Sequence, residues 1–313
     1  MAKKPRRTDV DDEGGSSANG EPYPSRLEGL TQQQGPIRLP QLLMINFYLF
    51  GQPNHDQVIL AFYEGCPEPK KLIKDYEYEP ADVAVVFGWI KSKVPERWPR
   101  ARVITRQRNE NRDVVVLETG YINRGEGETH HYAAGLNGLN GRANFRNQGM
   151  PDDRARLLDV ELKAYKQGEH VVLCGQVPWD ASVDTTNHVA WLKECAAALR
   201  NYHRPVVFRP HPSASLPPIK GCKYSKQPLS EDLRNAWAVV TFNSNSGVEA
   251  LLEGVPVFAF DEGSMVWTIC NRSLSDIESP SLPDRPQWLN DLSYAQWTLE
   301  EMKAGLAWKH LFR

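Results

Sequence analysis

Short, apolar, β-branched runs recur along this chain, and longer polar or helical stretches separate them. This alternation is typical of parallel sheets built from βαβ units, so we predict an α/β fold. The alternation is interrupted near Met150 and Pro151, which indicates two Rossmann-like domains with a hinge between them. The predicted strands lie at residues 42–50, 82–87, 113–117, 170–174, 205–208, 238–241 and 255–260.

The predicted segments are a disordered leader over 1–35, an N-terminal domain over 36–150, a C-terminal domain over 151–290 and a C-terminal crossover helix over 291–313. Low apolar content and many charged and small residues predict the disorder of the leader. A helix over 154–167 opens the C-terminal domain. Thr298 and Glu301 have capping-box spacing, which predicts the final helix. Three tryptophans near it are predicted packing anchors: Trp288, Trp297 and Trp308.

Composition excludes several classes of protein. A chain of 313 residues that is 41% apolar can bury two medium-sized cores. The formal net charge of −2 means that any affinity for a polyanion must come from a local patch. Five cysteines without a C-x-x-C pair disfavour a disulfide framework and a zinc ribbon, and fit a reducing cytoplasm, which is the host cytoplasm if the chain is viral. The longest apolar stretch, 42–50, is too short to span a bilayer, so we expect no membrane insertion.

Asp9 and Asp11 match the D-x-D pattern with which metal-dependent sugar transferases hold a divalent cation. Coordination needs a rigid frame, and these residues lie in an acidic, unstructured run. We therefore interpret them as part of a solvated tail, and we predict no metal site.

The chemistry of the second half begins at Arg209-Pro210-His211-Pro212, directly after a predicted buried strand. Prolines on both sides fix the backbone of the histidine. An imidazole held beside a guanidinium suits a phosphate leaving group. The alternative is a turn histidine packed under prolines.

A second polar turn, residues 243–247, follows the strand at 238–241 and precedes a helix that Gly254 ends. Ser246 and Glu249 have capping-box spacing, so a well-capped helix without a ligand is one interpretation. The other is an anion site, because small residues at a helix N-terminus expose backbone N–H groups. The carboxylate of Glu249 could also accept hydrogen bonds from ribose hydroxyls.

Four ordered motifs resemble the GT-B-fold capsular polysaccharide Kdo transferases and, more loosely, the bacterial sialyltransferases with HP and SS motifs. They are 117–122 (LETGYI), 174–182 (CGQVPWDAS), 209–212 (RPHP) and 244–257 (SNSGVEALLEGVPV). They span roughly 140 residues, and four in order are specific although each alone is weak. The resemblance implies a GT-B fold, a nucleotide-sugar donor in the C-terminal domain and an acceptor held mainly by the N-terminal one.

The resemblance also implies residue roles. Glu118 and His211 are the predicted catalytic residues, with Glu118 near the reacting hydroxyl of the acceptor. The family's second acidic position is Thr119 here, and its arginine is displaced to Arg124. The predicted donor-binding residues are Gln176, Asp180, Ser182, Arg209, Ser244, Asn245, Ser246, Gly247 and Glu249. The co-substrate is a UDP- or CMP-sugar, and no tightly bound cofactor is expected.

The general base is open to alternatives. Sugar transfer needs a carboxylate or imidazole to take the proton of the acceptor, which favours Glu118. Glu118 could instead be a strand-end carboxylate bonded to the backbone. His130 and His131 are the other candidate bases.

The acceptor is also open. Residues 91–112 carry eight basic side chains against two acidic ones, with Trp89 and Trp98 nearby. Such a patch can track phosphates and stack on bases, although a solvated helix face is the alternative. We expect double-stranded DNA, modified at a hydroxylated pyrimidine as in tailed viruses, and a flipped base. The predicted acceptor-binding residues are Arg97, Arg102, Arg106, Arg124, Arg142 and Arg146.

Three other functions fit the sequence. The transferase could build an anionic capsule or lipopolysaccharide glycan, as the motif relatives do. The chain could also be a sugar-nucleotide epimerase of similar fold, or a non-catalytic nucleic-acid-binding protein, because fold alone does not decide the reaction.

Overall fold

A computed structural model describes residues 43–91, 93–125, 129–183 and 187–313. The predicted leader, with Asp9 and Asp11, lies outside these residues. Five strands of the N-terminal half share one sheet: β1 (Ile45–Tyr48), β2 (Lys70–Ile73), β3 (Val83–Phe87), β4 (Asp113–Thr119) and β5 (His131–Leu136). β2, β1, β3 and β4 run parallel in that spatial order, and β5 pairs antiparallel with β4. β3 is buried along its whole length, as a central parallel strand should be.

The C-terminal half has a second sheet in which every pairing is parallel. Its strands are β6 (His170–Cys174), β7 (Val206–Arg209), β8 (Lys223–Tyr224), β9 (Ala236–Thr241) and β10 (Val257–Ala259). The spatial order is β10-β9-β6-β7-β8. This is the doubly wound order in which the topology reverses between the first and fourth strands, here β6 and β9. A ligand crevice is therefore expected at the carboxyl ends of β6 and β9.

Helices cover these sheets. They are α1 (Pro53–Gly65), α2 (Pro99–Asn109), α3 (Asp153–Leu157), α4 (His188–Leu199), α5 (Leu229–Leu233), α6 (Ser246–Leu252), α7 (Pro286–Ser293), α8 (Leu299–Lys303) and α9 (Leu306–Leu311). Proline occupies the first turn of α1 and α2, where the missing N–H costs no helical hydrogen bond. α2 packs on one face of the first sheet and α1 on the other.

The end of the chain crosses back to the first sheet. A last strand, β11 (Gln296–Thr298), pairs antiparallel with β5, and α8 and α9 pack against α1. The side chains of Thr298 and Glu301 form the predicted capping box. The predicted single helix is interrupted, because Gly305 adopts a left-handed φ of 77° where the chain passes the backbone of Gly65. Trp288, Trp297 and Trp308 are buried, as predicted for packing anchors.

The predicted helix over 154–167 is wrong beyond α3. Asp159 has a left-handed φ of 52°, and the chain then runs extended beside the end of α6. There the N–H of Lys163 donates to the carbonyl of Leu252, and the N–H of Lys166 donates to that of Gly254. Backbone groups bonded to a neighbouring segment cannot also form a helix.

Arg154 ties α3 to the crossover segment. Its guanidinium is buried, lies 2.7 Å from a carboxylate oxygen of Glu301 and donates to the carbonyl of Gln296 at 2.9 Å. It also lies 3.8 Å from the centre of the Trp297 ring. A buried guanidinium with this many partners holds the two segments in register.

We expect Arg154→Met to lower the free energy of unfolding by about 3 kcal/mol, because it leaves the Glu301 carboxylate without its partner. Urea denaturation followed by circular dichroism measures this loss. Arg156→Met is the matched control, since Arg156 is exposed and its one ion pair with a described residue is to Asp152, one turn away. The control should change stability by less than about 0.5 kcal/mol, and an equal loss in both variants would contradict the role of Arg154.

Candidate active site

At the crevice between β6 and β9, Gln176 and Asn243 form two hydrogen bonds with each other. The backbone N–H of Asn243 donates to Oε1 of Gln176 at 2.9 Å, and Nε2 of Gln176 donates to Oδ1 of Asn243 at 2.7 Å. Asn243 also donates to Asp261 at 2.8 Å. From the other side, Nε2 of His188 accepts the N–H of Gln176 at 2.8 Å, and burial lowers the pKa of His188 to about 4. These hydrogen bonds fix the starts of the two loops that follow β6 and β9 without the help of a ligand.

A cavity of about 270 Å³, which we call the central cavity, opens at this crevice. It brings together predicted residues from both halves of the chain: Glu118, Arg124, Gln176, Asp180, Ser182, His211, Ser244 and Asn245. An adjoining cavity of about 200 Å³, the C-terminal cavity, is lined by Arg209, Ser246 and Glu249 and shares Arg124, His211, Ser244 and Asn245 with the first.

Gly247 is the predicted donor-binding residue that lines neither cavity. A Cβ on it would lie 3.2 Å from Val266 and 3.4 Å from Val257, so it faces the core. Its backbone N–H is bonded to the carbonyl of Ser244. A small residue therefore fits the close packing of α6 on the core, and a sequence motif does not distinguish such packing from ligand contact.

His211 is oriented by its own turn. Nδ1 accepts the backbone N–H of Ser213 at 3.1 Å, so in the neutral ring the proton is on Nε2. Burial, and then the nearby charge of Arg124, lower the pKa of His211 below its ordinary value. The ring is therefore neutral at pH 7 and offers one N–H donor.

The start of α6 differs from the predicted capping box. Ser246 is the first residue of α6 and not its N-cap; the N-cap is Asn245, whose side chain makes no capping bond to the described residues. The N–H of Ser246 donates to Oγ of Ser244 at 3.2 Å. Glu249 instead accepts a 3.4 Å hydrogen bond from Asn245. The hydroxyl of Ser246 is consequently buried without a hydrogen-bond partner among the described residues.

Arg209 lines the C-terminal cavity, and contacts within the protein fix its guanidinium. One guanidinium nitrogen lies 3.1 Å from Asp232, which is buried and accepts a 2.7 Å hydrogen bond from Ser225. The same nitrogen donates to the carbonyl of Gln227. A guanidinium fixed in this way has a defined position toward an anion in the cavity.

Glu118 faces this cluster from the end of β4. One of its carboxylate oxygens, Oε1, accepts a hydrogen bond from the N–H of Thr119 at 2.9 Å. The predicted alternative, a strand-end carboxylate bonded to the backbone, therefore applies to Oε1. Burial raises the pKa of Glu118 above its ordinary value of 4.5, and the carboxylate of Asp180 adds to the rise. The N–H of Thr119 and the guanidinium groups of Arg100 and Arg124 act in the opposite direction. A carboxylate with a raised pKa is a better proton acceptor than an ordinary one.

The other candidate bases lie elsewhere. His131 belongs to β5, is buried and bonds through Nδ1 to the carbonyl of Thr129. His130 stacks on Tyr132 and lines a different cavity of about 610 Å³. Neither lines the central cavity with Glu118.

Three of the six predicted acceptor-binding arginines are already paired with carboxylates. Arg102 lies 2.8 Å from Glu77, Arg106 lies 3.1 Å from Glu96, and Arg142 lies 2.6 Å from Asp261. Arg142 nevertheless lines a cavity of about 530 Å³, and Arg124 lines the central one. Arg146 donates to the carbonyl of Arg313, and neither it nor the exposed Arg97 lines these cavities. The charge count over residues 91–112 included Glu96, but it did not include Glu77, which pairs with Arg102 from outside that segment.

Sequence reasoning missed Arg100 and His55 as cavity residues. Arg100 points toward Glu118, and His55 stacks on Phe87 at 4.1 Å. The sequence predicted Asn243 only as part of the turn at 243–247, and Trp179 only as part of the motif at 174–182. Position next to a strand end was the available signal for Asn243, whereas nothing local marks Arg100 among its basic neighbours.

Within the described residues, no group of three or more His, Cys, Asp or Glu side chains is placed to hold a metal ion. No helix there has the length and apolar character needed to cross a membrane.

No protein-family model matches this chain, and no curated protein sequence matches it. Two solved structures from Thermosulfurimonas dismutans share its fold. The KpsC β-Kdo 2,7 transferase is 15% identical with a TM-score of 0.54, over 84% of this chain and 98% of that one. The KpsC β-Kdo 2,4 transferase is 13% identical with a TM-score of 0.51, over 82% and 90%. The chain therefore has the predicted GT-B fold, with two Rossmann-like domains facing a central cleft.

Proposed function

We propose that this protein is a glycosyltransferase that moves a sugar from a nucleotide-sugar donor to a hydroxyl group. One observation carries the proposal. The Glu118 carboxylate, whose pKa is raised, lines the same central cavity as His211, whose neutral ring carries its proton on Nε2, and the polar turn at Ser244. A base and an anion site in one cavity are what sugar transfer requires.

In the proposed reaction, Glu118 takes the proton of the acceptor hydroxyl while the oxygen of that hydroxyl attacks the anomeric carbon of the donor sugar. The bond from that carbon to the donor phosphate breaks, and its electron pair stays on the phosphate oxygen. The developing charge is stabilised by His211 and by the guanidinium groups of Arg124 and Arg209, all of which line the C-terminal cavity. Fixed donors of this kind contribute a few kcal/mol each.

The donor is proposed to be a UDP- or CMP-sugar, and nucleotide release from a panel of both types tests this. Release that depends on an added acceptor supports a transferase. Isomerisation of the donor without an acceptor would instead support the epimerase, and no turnover of any donor would support a non-catalytic binding protein.

We expect transfer to proceed without a divalent metal, because the cations of the protein itself face the proposed leaving group. The rate should stay within about twofold of the untreated enzyme in excess EDTA. A loss that magnesium or manganese restores would contradict this part of the proposal. The test uses purified protein and the donor identified by nucleotide release.

For the acceptor, the contacts favour a glycan over DNA. Arg102, Arg106 and Arg142, which were predicted to track DNA phosphates, are engaged by carboxylates of the protein. The two structural relatives are named as Kdo transferases, which agrees with a sugar acceptor by analogy of fold. Incubating the donor with hydroxymethylated duplex DNA and with oligosaccharides tests the choice. Transfer to DNA alone would reverse it.

A further inference from the structure

A cavity of about 710 Å³ lies beside Glu118, and aromatic side chains from both halves of the chain form its walls. We call it the aromatic cavity. It shares Glu118 and Asp180 with the central cavity, so the two adjoin at the proposed base. Its aromatic residues are Phe50, Tyr76, Phe87, Trp89, Trp98 and Trp179. A ligand in it lies next to the carboxylate that takes the acceptor proton.

The exposure of two of these side chains, Trp98 and Trp179, indicates a ligand site in the cavity. Trp98 is 57% exposed and Trp179 is 66% exposed, although large aromatic side chains are usually mostly buried. Trp98 belongs to the N-terminal half, and Trp179 to the loop after β6. Clustered exposed apolar surface on a folded protein typically covers a binding site. Flat rings suit the apolar face of a sugar.

One arginine, Arg100, lies among these aromatic side chains. The guanidinium of Arg100 lies 5.5 Å from the centre of the Phe50 ring. A Cβ built on Gly88 would lie 3.0 Å from Nη1 of Arg100 and 3.7 Å from Oε2 of Glu118, so both groups face the space that this glycine leaves open. Gly88 has a φ of 78°, so a side chain there is disfavoured by the backbone as well.

Arg100 differs from its neighbours in α2 and in the turn that follows it. Arg102, Arg106 and Arg112 each have a carboxylate within 3.2 Å, whereas Arg100 and Arg108 form no ion pair with a described carboxylate, and of these two only Arg100 is withdrawn from solvent. It is half-buried, and its Nε has no hydrogen-bond partner among the described residues. A partly desolvated guanidinium with free donors is suited to a carboxylate or phosphate from outside the protein.

We propose that Arg100 binds an anionic group on the acceptor, a carboxylate or a phosphate, while the acceptor ring lies in the aromatic cavity with a hydroxyl at Glu118. The acceptor is then an acidic sugar at the end of a glycan, and Arg100 is a specificity-determining residue. This inference rests on the proposed function, because it takes Glu118 as the base.

Binding tests the inference without any donor. The probes are a short oligosaccharide ending in a uronic acid, its methyl ester, the neutral hexose counterpart and a hexose 6-phosphate counterpart. Quenching of tryptophan fluorescence reports occupancy, since three tryptophans line the cavity. The variants are Arg100→Met and Arg100→Lys, with Arg112→Met as the matched control, because Arg112 pairs with Glu110 and lines none of these cavities.

We expect the wild-type protein to bind the acid or the phosphate roughly 10- to 100-fold more tightly than the neutral probes, the range for a charged hydrogen-bonded pair. Arg100→Met should abolish the difference, Arg100→Lys should restore part of it, and Arg112→Met should keep it. A preference for the acid over the phosphate identifies a carboxylate, and the reverse identifies a phosphate. Equal binding of acid and ester, no binding of any sugar probe, or an unchanged preference in Arg100→Met overturns the proposal.

Turnover separates this inference from the proposed function. If Arg100 acted only by positioning Glu118, its variants would slow transfer to acidic and neutral acceptors equally. Arg100-dependent binding of hydroxymethylated duplex DNA, without binding of the acidic sugar, would also overturn the inference. If the acidic sugar binds through Arg100 but no nucleotide sugar is consumed, the transferase proposal fails while the Arg100 site stands.

Discussion

Replacing Glu118 with glutamine is expected to lower the rate of transfer by about 10²- to 10⁴-fold, the usual contribution of a general base. Glutamine has the same shape and can still accept the hydrogen bond from the N–H of Thr119, but it cannot take a proton from the acceptor. Donor affinity should change little, because the proposed phosphate contacts line the C-terminal cavity, and Glu118 does not. Steady-state kinetics and calorimetric titration of the donor measure the two effects separately.

The pH profile gives a second readout of the same substitution. Glu118 must be ionised to act, so kcat/KM should fall as the pH drops through the pKa of Glu118. Because burial raises that pKa, the midpoint is expected above the ordinary value of 4.5. The acid limb should disappear in Glu118→Gln. Glu110→Gln is the control, since Glu110 pairs with Arg112 outside the cavities, and full activity in Glu118→Gln would mean that another group takes the proton.

The strands and the donor side of the site could be predicted because their signals are local. A strand such as His170–Cys174 is a continuous buried run, and its bounds agree with the sequence prediction. Gln176, His211 and Ser244 each follow the end of a parallel strand, and parallel strands bring their carboxyl ends to one edge. The four missed strands, β2, β5, β8 and β11, either begin with lysines, contain small residues or are only two or three residues long.

The acceptor side could not be predicted because its charges are balanced by residues far away in sequence. Arg142 is 119 residues from Asp261, and Arg102 is 25 from Glu77. Counting charges in residues 91–112 alone therefore left out Glu77, and the arginine that extended the patch, Arg142, is also paired. The same count concealed Arg100, which is half-buried beside Glu118 and forms no ion pair with a described carboxylate, whereas the other unpaired arginines of this segment, Arg97 and Arg108, are exposed. Pairing across the fold decides which cation is available to a ligand.

His211 is the residue whose loss should most clearly separate catalysis from folding. We expect His211→Ala to lower kcat by about 10²- to 10³-fold, the cost of removing one fixed donor to a developing charge. The free energy of unfolding should fall by less than about 1 kcal/mol, because the side chain is half-buried and makes one hydrogen bond with the described residues, from the N–H of Ser213. Single-turnover kinetics and urea denaturation measure the pair of values.

Two further variants identify the reason for the loss. His211→Gln keeps an N–H donor and should recover part of the rate, as expected if donation to the leaving phosphate is the role of the imidazole. His203→Ala removes an exposed histidine of the same half, whose hydrogen bond to Glu278 comes from its backbone N–H, and should leave both rate and stability unchanged. If His211→Ala instead loses stability in proportion to rate, the histidine is a packed turn residue. The leaving-group role would then fall to Arg209 and Ser244, the other fixed groups of the C-terminal cavity.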